Sequence, residues 1–278
     1  MNPFLLCLTI LALLLLPASA APPVNDRDIH QKLLKYGEEQ IAAGKVVSAT
    51  DLGAQLDRKS CELKVTPASA IALPLPELAA NRRAAVAVVG GIFKCKKCSN
   101  WHLGAAGGFF IAESGVLVTC HHVVANADNA ALVVMTGDGR LTHVREVLAA
   151  DRDGDVAILQ CEGSGFATLP LAADAQVGAP VSVLSHPEDK FYMLTQGIVS
   201  RYFVDPSRHG AEMMSITADF AKGSSGAPVF DANGNVVAMV SNTRSVYYDE
   251  KDGHPENLQM VFKNCATGKA ILALIKVP

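Results

Sequence analysis

Three short stretches of this chain carry side chains that could do chemistry together. The first is Ala221-Lys222-Gly223-Ser224-Ser225-Gly226-Ala227-Pro228-Val229-Phe230, where serines sit between glycines and between two apolar, strand-like runs. Glycine lets a backbone turn tightly and approach a ligand. Such a turn can aim successive N–H groups at one point, making a nest for an anion. A serine hydroxyl beside that nest suits acyl transfer, because the oxyanion develops next to fixed donors. Gly-Ser-Ser-Gly on its own also makes ordinary turns. The second stretch is Thr119-Cys120-His121-His122-Val123-Val124, at the end of an apolar strand. A histidine there could take and return a proton, although a lone histidine is more often structural. Alternation along a strand would turn His121 and His122 to opposite faces. The third is Asp151-Arg152-Asp153-Gly154-Asp155-Val156-Ala157-Ile158-Leu159. Asp155 opens a strand, where it could be buried against an imidazole; its plainer reading is a turn aspartate.

The elements that must position these residues are short strands. Ala85-Val86-Ala87-Val88-Val89, Gly108 to Ile111, Val116 to Val118, Ala131 to Met135, Val156 to Leu159, Val181 to Leu184 and Val236 to Val240 are β-branched runs. Glu113-Ser114-Gly115, Gly137-Asp138-Gly139 and Asn233-Gly234 separate them as turns. Many short strands with tight turns predict an all-β sandwich or barrel. A helix from Thr267 to Val277 is expected to close the chain.

Residues 21–77 read differently, as a helical N-terminal extension. Asp28 to Gly44 is amphipathic, with Ile29, Leu33, Tyr36 and Ile41 near one face. Thr50 or Asp51 could cap a second helix ending near Arg58, after which Pro67, Pro74 and Pro76 keep the chain extended. A helical hairpin packed on the outside is favoured over a pro-segment or lid, because no dibasic cleavage site stands out before Arg82-Arg83. Residues 1–20 read as a signal peptide, with a leucine run followed by Pro17-Ala18-Ser19-Ala20. The apolar run is short for a bilayer span. The expected product is therefore exported, periplasmic or secreted, with no membrane attachment after cleavage. A net charge of −3 with mixed signs gives no reason to expect a nucleic-acid partner.

Six cysteines follow the leader: Cys61, Cys95, Cys98, Cys120, Cys161 and Cys265. They allow 15 pairings. Cys95-Lys96-Lys97-Cys98 can be a local disulfide, a redox motif, or half a zinc site with His102. An oxidising compartment favours the disulfide. The redox reading lacks a strand-to-helix setting. Zinc would need two further ligands, which Cys120 or His121 could supply.

Taken together, the three reactive stretches resemble the chymotrypsin-like serine proteases, most closely the bacterial high-temperature-requirement branch. Gly107 to Ile111 followed by Thr119 to Val124 matches that branch's Gly-x-Gly-Phe-Ile-Ile, turn and Thr-x-x-His-Val-Val. Asp155-Val156-Ala157-Ile158 matches its Asp-Ile/Leu-Ala-Leu/Val. Gly223-Ser224-Ser225-Gly226-Ala227-Pro228 matches Gly-Asn-Ser-Gly-Gly-Pro, and Ser185-His186-Pro187 before Gly197-Ile198-Val199-Ser200 looks like its Gly-x-Pro before Gly-Ile-Val-Ser. The resemblance covers roughly residues 78–276. It implies two six-stranded antiparallel β-barrels over residues 78–278, the first about 78–165 and the second about 166–278, with the active site between them.

By that resemblance Ser225 is the nucleophile, His122 the general base and Asp155 its orienting carboxylate, with the N–H groups of Gly223 and Ser225 as the oxyanion hole. The family register chooses His122 over His121 and Ser225 over Ser224. Asp219, Ser241, Asn242 and Thr243 are the expected substrate-binding residues. Trypsin's spacing would put Asp219 on the floor of the specificity pocket, which favours Arg or Lys. The high-temperature-requirement branch, with Thr243 narrowing the mouth, favours small aliphatic residues. No cofactor and no catalytic metal are implied, and the expected partners are protein or peptide substrates. Three departures stand out: Ala227 for a glycine, His186 for a glycine, and Ser224 where trypsin's activation ion pair needs an acid. No PDZ domain is expected after the last helix. The rival reading is a protease-fold binding or scaffold protein with weak or no turnover.

Overall fold

The computed structural model describes residues 22–95, 97–251 and 253–278. The expected signal peptide lies outside the described residues. Among them no helix is long and apolar enough to cross a membrane.

The chain begins with α1 (Asp26–Ala42), whose N-terminal N–H groups are capped by Asn25, and α2 (Ala49–Gly53), capped by Ser48. A short strand β1 (Cys61–Glu62) follows, then α3 (Leu75–Arg82). The expectation that the prolines keep this segment extended fails at α3. Pro76 falls in its first turn, where a missing N–H costs no intrahelical bond, and Leu78 is buried beneath it.

Next come β2 (Val86–Lys94), β3 (Trp101–Ala112), β4 (Val116–Thr119), the one-turn helix α4 (His121–Val124), β5 (Ala131–Thr136), β6 (Leu141–Asp151) and β7 (Val156–Cys161). They close into a six-stranded ring in the order β2-β3-β4-β7-β6-β5. A second ring is built from β8 (Pro180–Ser185), β9 (Met193–Asp205), β10 (Ala211–Ile216), β11 (Pro228–Phe230), β12 (Val236–Lys251) and β13 (His254–Thr267). Its order is β10-β13-β12-β11-β8-β9, and both rings are antiparallel throughout.

Alternation along β2 shows how the strands are used. Ala87 and Val89 point into the first ring with Phe110, Leu117 and Leu159. Val86, Val88 and Ile92 point outward into a second apolar layer that also contains Leu33, Leu78, Phe230 and Met239. That layer draws on α1, α3 and both rings, so it binds the two rings into one folded unit. The interior of the second ring is filled separately by Val183, Met214, Val229 and Val240.

The closing helix is shorter than expected. Thr267 caps α5 (Gly268–Ala273), and the tail then becomes strand β14 (Ile275–Lys276), parallel to β1. The N–H groups of Cys61 and Leu63 bond to the carbonyls of Leu274 and Lys276 and draw the tail out of the helix.

Candidate active site

Residues from both rings meet where β4, β7 and the loop before β11 converge. Cys120 is buried, and α4 turns His121 and His122 outward from it. The two histidines lie on a helical turn, so helical rotation rather than strand alternation separates them. His122 Nδ1 lies 2.9 Å from Asp155 Oδ1 and 3.0 Å from Oδ2, and its backbone N–H donates to Oδ1. Its side chain is 51% exposed, while Asp155 is buried. Asp155 reaches this place through a left-handed backbone, φ 57°, at the start of β7. A non-glycine residue there costs on the order of 1 kcal/mol or more, offset by the bonds its carboxylate accepts.

The Ser241 hydroxyl donates to Asp155 Oδ2 at 2.5 Å. Arg208, at the tip between β9 and β10, brings Nη1 to 3.6 Å from the same oxygen and Nη2 to 3.3 Å from Ser241 Oγ. Burial by itself would raise the Asp155 carboxyl. The hydrogen bonds and charge of His122, with the Ser241 hydroxyl, outweigh it and hold the carboxyl below the usual carboxylate range. Burial pulls His121 down instead.

Ser225 faces this group from the second ring. Its hydroxyl donates to the Ser241 carbonyl at 3.2 Å, and among the described residues no bond joins it to His122. Ser224 is buried, with an unpartnered hydroxyl. Gly223 and Gly226 adopt φ of 93° and 90°. A Cβ on Gly223 would stand 2.6 Å from the His186 carbonyl, and one on Gly226 would collide with the Gly107 carbonyl and Thr119 Oγ1. Only glycine satisfies both demands. Among the described residues neither the Gly223 nor the Ser225 N–H has an acceptor. The Lys222 carbonyl accepts from the Glu188 N–H at 2.8 Å. This bond turns the N–H of the Lys222–Gly223 peptide to the opposite side, because a trans peptide holds the two groups anti.

Polar bonds cross between the rings: the Gly107 N–H donates to the Ser225 carbonyl at 2.7 Å and Cys120 Sγ to the Val240 carbonyl at 3.1 Å. Within the first ring, Thr119 Oγ1 donates to the Gly107 carbonyl at 2.8 Å. Gly107 also explains how Ala227 is tolerated. A Cβ at Gly107 would lie 3.0 Å from the Ala227 methyl and closer still to its backbone, so the missing side chain on β3 makes the room. His186 is buried. Its Nε2 meets the Ala87 carbonyl at 3.1 Å and its Nδ1 accepts from the Tyr192 N–H at 3.1 Å. Burial pushes its pKa down to about 4, so the ring is neutral and anchors the loop under Gly223.

The expected specificity residues are spread out. Ser241 is buried against Asp155, Asn242 donates to Ser241 Oγ and accepts from Asn264, and Thr243 is exposed. The Asp219 side chain is 83% exposed and pairs with Lys263 at 3.2 Å, so it is not a buried pocket floor. Arg208 went unnoticed in the sequence. It comes from a hairpin tip more than fifty positions after Asp155, with no local pattern to mark it.

Of the described cysteines, Cys120 lies in the candidate site, its sulfur within 4.8 Å of the His122 and Asp155 donor atoms. Cys120 and His121 do not join Cys95 and Cys98. Those two sulfurs stand 3.0 Å apart and all six described cysteines are free thiols, so the expected local disulfide is not formed. Cys98 Sγ has turned toward His102 Nε2, 2.9 Å away.

Comparison with known proteins shows what these features are similar to. Residues 106–239, which include His122, Asp155 and Ser225, match the family model of the trypsin-like peptidase domain. A probable periplasmic serine endoprotease DegP-like of Halomonas elongata is 34% identical over 147 residues, 51% of this chain and 30% of that protein. A putative serine protease HhoA of Synechocystis sp. is 31% identical over 153 residues, 51% of this chain and 38% of that protein. The chain thus spans about a third of the length of the curated relatives it matches. Among solved structures, the HtrA-type protease AlgW with tripeptide superimposes with a TM-score of 0.54 at 18% identity, over 70% of this chain and 60% of that one.

Proposed function

We propose, from the match of residues 106–239 to the trypsin-like peptidase domain and the likeness to DegP-like endoproteases, that this chain is an exported serine endopeptidase working through an acyl-enzyme. The observation that carries this reading is the His122–Asp155 pair, 2.9 Å apart with the carboxylate buried, facing a serine flanked by left-handed glycines.

Rotation about χ1 moves the Ser225 hydroxyl from the Ser241 carbonyl toward His122; such bonds are often loose before substrate binds. Ser225 Oγ attacks the scissile carbonyl carbon while His122 takes its proton. Asp155 fixes the imidazole and stabilises the imidazolium, with Ser241 and Arg208 holding the carboxylate in turn. The free N–H groups of Gly223 and Ser225 receive the oxyanion. The C–N bond breaks as His122 protonates the leaving amine. Water then attacks the ester, giving its proton to His122, and Ser225 leaves as the hydroxyl.

Protein or peptide substrates fit the relatives' activity, and the periplasm or the exterior fits their location and the leader at residues 1–20. An exposed Asp219 and a branched Thr243 support cleavage after small aliphatic residues rather than basic ones. One observation favours the rival, a scaffold with little turnover: the Ser225 hydroxyl bonds to Ser241 in place of His122. Peptide hydrolysis by the parent and by Ser225→Ala, His122→Ala and Asp155→Ala variants decides between them. Each single change should lower turnover by about four to six orders of magnitude, and the losses should not add. Full activity in Ser225→Ala, or loss in His121→Ala but not in His122→Ala, would overturn the assignment.

A further inference from the structure

The hairpin joining β2 to β3 carries donor groups that peptide hydrolysis does not use. At its tip Cys95 Sγ and Cys98 Sγ lie 3.0 Å apart, and His102 Nε2 lies 2.9 Å from Cys98 Sγ. All three donor atoms fall within 4.8 Å of one another. His102 is not a loose surface side chain. It pairs with Phe93 across the β2–β3 ladder, and the two rings stack with centroids 5.6 Å apart and planes at 26°. The stacked ring aims Nε2 at the sulfurs.

We propose that Cys95, Cys98 and His102 form a binding site for a thiophilic divalent ion, zinc in the first place, with water as the fourth ligand. Thiolate and imidazole together suit zinc, and the two-residue gap between cysteines lets one turn present both sulfurs to a single ion. Zinc–sulfur bonds of about 2.3 Å at tetrahedral angles require sulfurs roughly 3.8 Å apart. The two sulfurs, 3.0 Å apart, must separate by less than about one ångström, and Cys98 is exposed to solvent. A disulfide would need a comparable movement in the other direction, to about 2.05 Å, and would give His102 nothing to do. The histidine decides between the two. Binding displaces one proton from each thiol and moves no electrons.

This site is distinct from the candidate active site. There Asp155 is already satisfied by His122 and Ser241, and the Cys120 thiol is bonded to Val240. The two are connected through β3, which continues from His102 to Gly107 and its bond to the Ser225 carbonyl. Phe93 and Leu103 also line one cleft with Glu188 and Gly223.

Cobalt(II) titration of the full exported protein, reduced and stripped of metal, tests the proposal. The expected result is one ion per chain, with a sulfur-to-cobalt charge-transfer band in the near ultraviolet and the strong visible bands of a tetrahedral site, both erased by zinc. Cys95→Ser and Cys98→Ser should each weaken or abolish the charge-transfer band. His102→Ala should lower affinity by at least the roughly 10–100-fold that a lost outer-shell partner costs. Cys120→Ser should titrate as the parent does. Absence of the charge-transfer band, an unchanged titration in the Cys95→Ser/Cys98→Ser double variant, or recovery of a Cys95–Cys98 disulfide by mass spectrometry of the unreduced exported protein would overturn it.

Discussion

His186 shows how a single residue can depart from the pattern of the proteases this chain resembles and take on a structural task. Its ring fills the space under the Gly223 loop, stacks edge-on against Tyr192 at 4.9 Å, and bonds Ala87 and Tyr192 through its two nitrogens. Burial holds its pKa at about 4, against about 6.5 in an unfolded chain. As pH falls the unfolded chain therefore takes up the proton first. The stability due to the neutral ring is fully present above about pH 6.5, is lost between about 6.5 and 4, and is level below that. The loss should be about 3 kcal/mol. Denaturant midpoints measured across that window should fall accordingly, and the slope should shrink in His186→Gln. An equal slope in both proteins would show that another group titrates. At the level of single residues the candidates that the structure brings together were legible, because Ser225, His122 and Asp155 sit in local patterns. Arg208 and the Ser241–Asp155 bond were not, because three-dimensional approach alone brings them together.

Strands were legible in proportion to their burial. β2 and β7 are covered on both faces and read as unbroken apolar runs. β9 and the outer halves of β12 and β13 are largely exposed and mix polar with apolar residues, so no period marked them. Yet one of these faint elements reaches the candidate site. The tip between β9 and β10 lays Arg208 against Asp155 and His209 against Asp153, bridging the second ring to the first. Removing the guanidinium lets the carboxylate shift and strengthens its hold on the imidazolium. Arg208→Ala should lower kcat/KM about tenfold, equivalent to about 1.4 kcal/mol, and move the acid limb of the pH–rate profile upward. His209→Ala, which removes an exposed pair, should leave both the stability and the profile essentially unchanged. An unshifted profile in Arg208→Ala would reduce the hairpin's role to packing.

The whole molecule is held together by its ends as much as by its rings. α1 buries Leu33 in the layer shared by both rings, and Gly37 lies so close to Ile92 that a Cβ would stand 2.5 Å from that side chain. β1 pairs with β14, and Asn235 bonds both the N–H and the carbonyl of Ser69. The extension was legible as helices, but its integration was not, since sequence periodicity shows which face is apolar without showing what covers it. Leu33→Ala should destabilise the protein by about 2–5 kcal/mol while sparing turnover of the folded fraction, as paired denaturation and rate measurements would show. Unchanged stability would mean that the extension merely rests on the surface. The proposed triad also depends on the whole molecule, because Ser225 comes from one ring and His122 and Asp155 from the other. Fluorophosphonate labelling of the folded protein, with the modified residue mapped by mass spectrometry, tests it most directly. One label is expected, on Ser225, and its loss is expected in His122→Ala. A folded parent that takes no label, or takes it on Ser224, would contradict it.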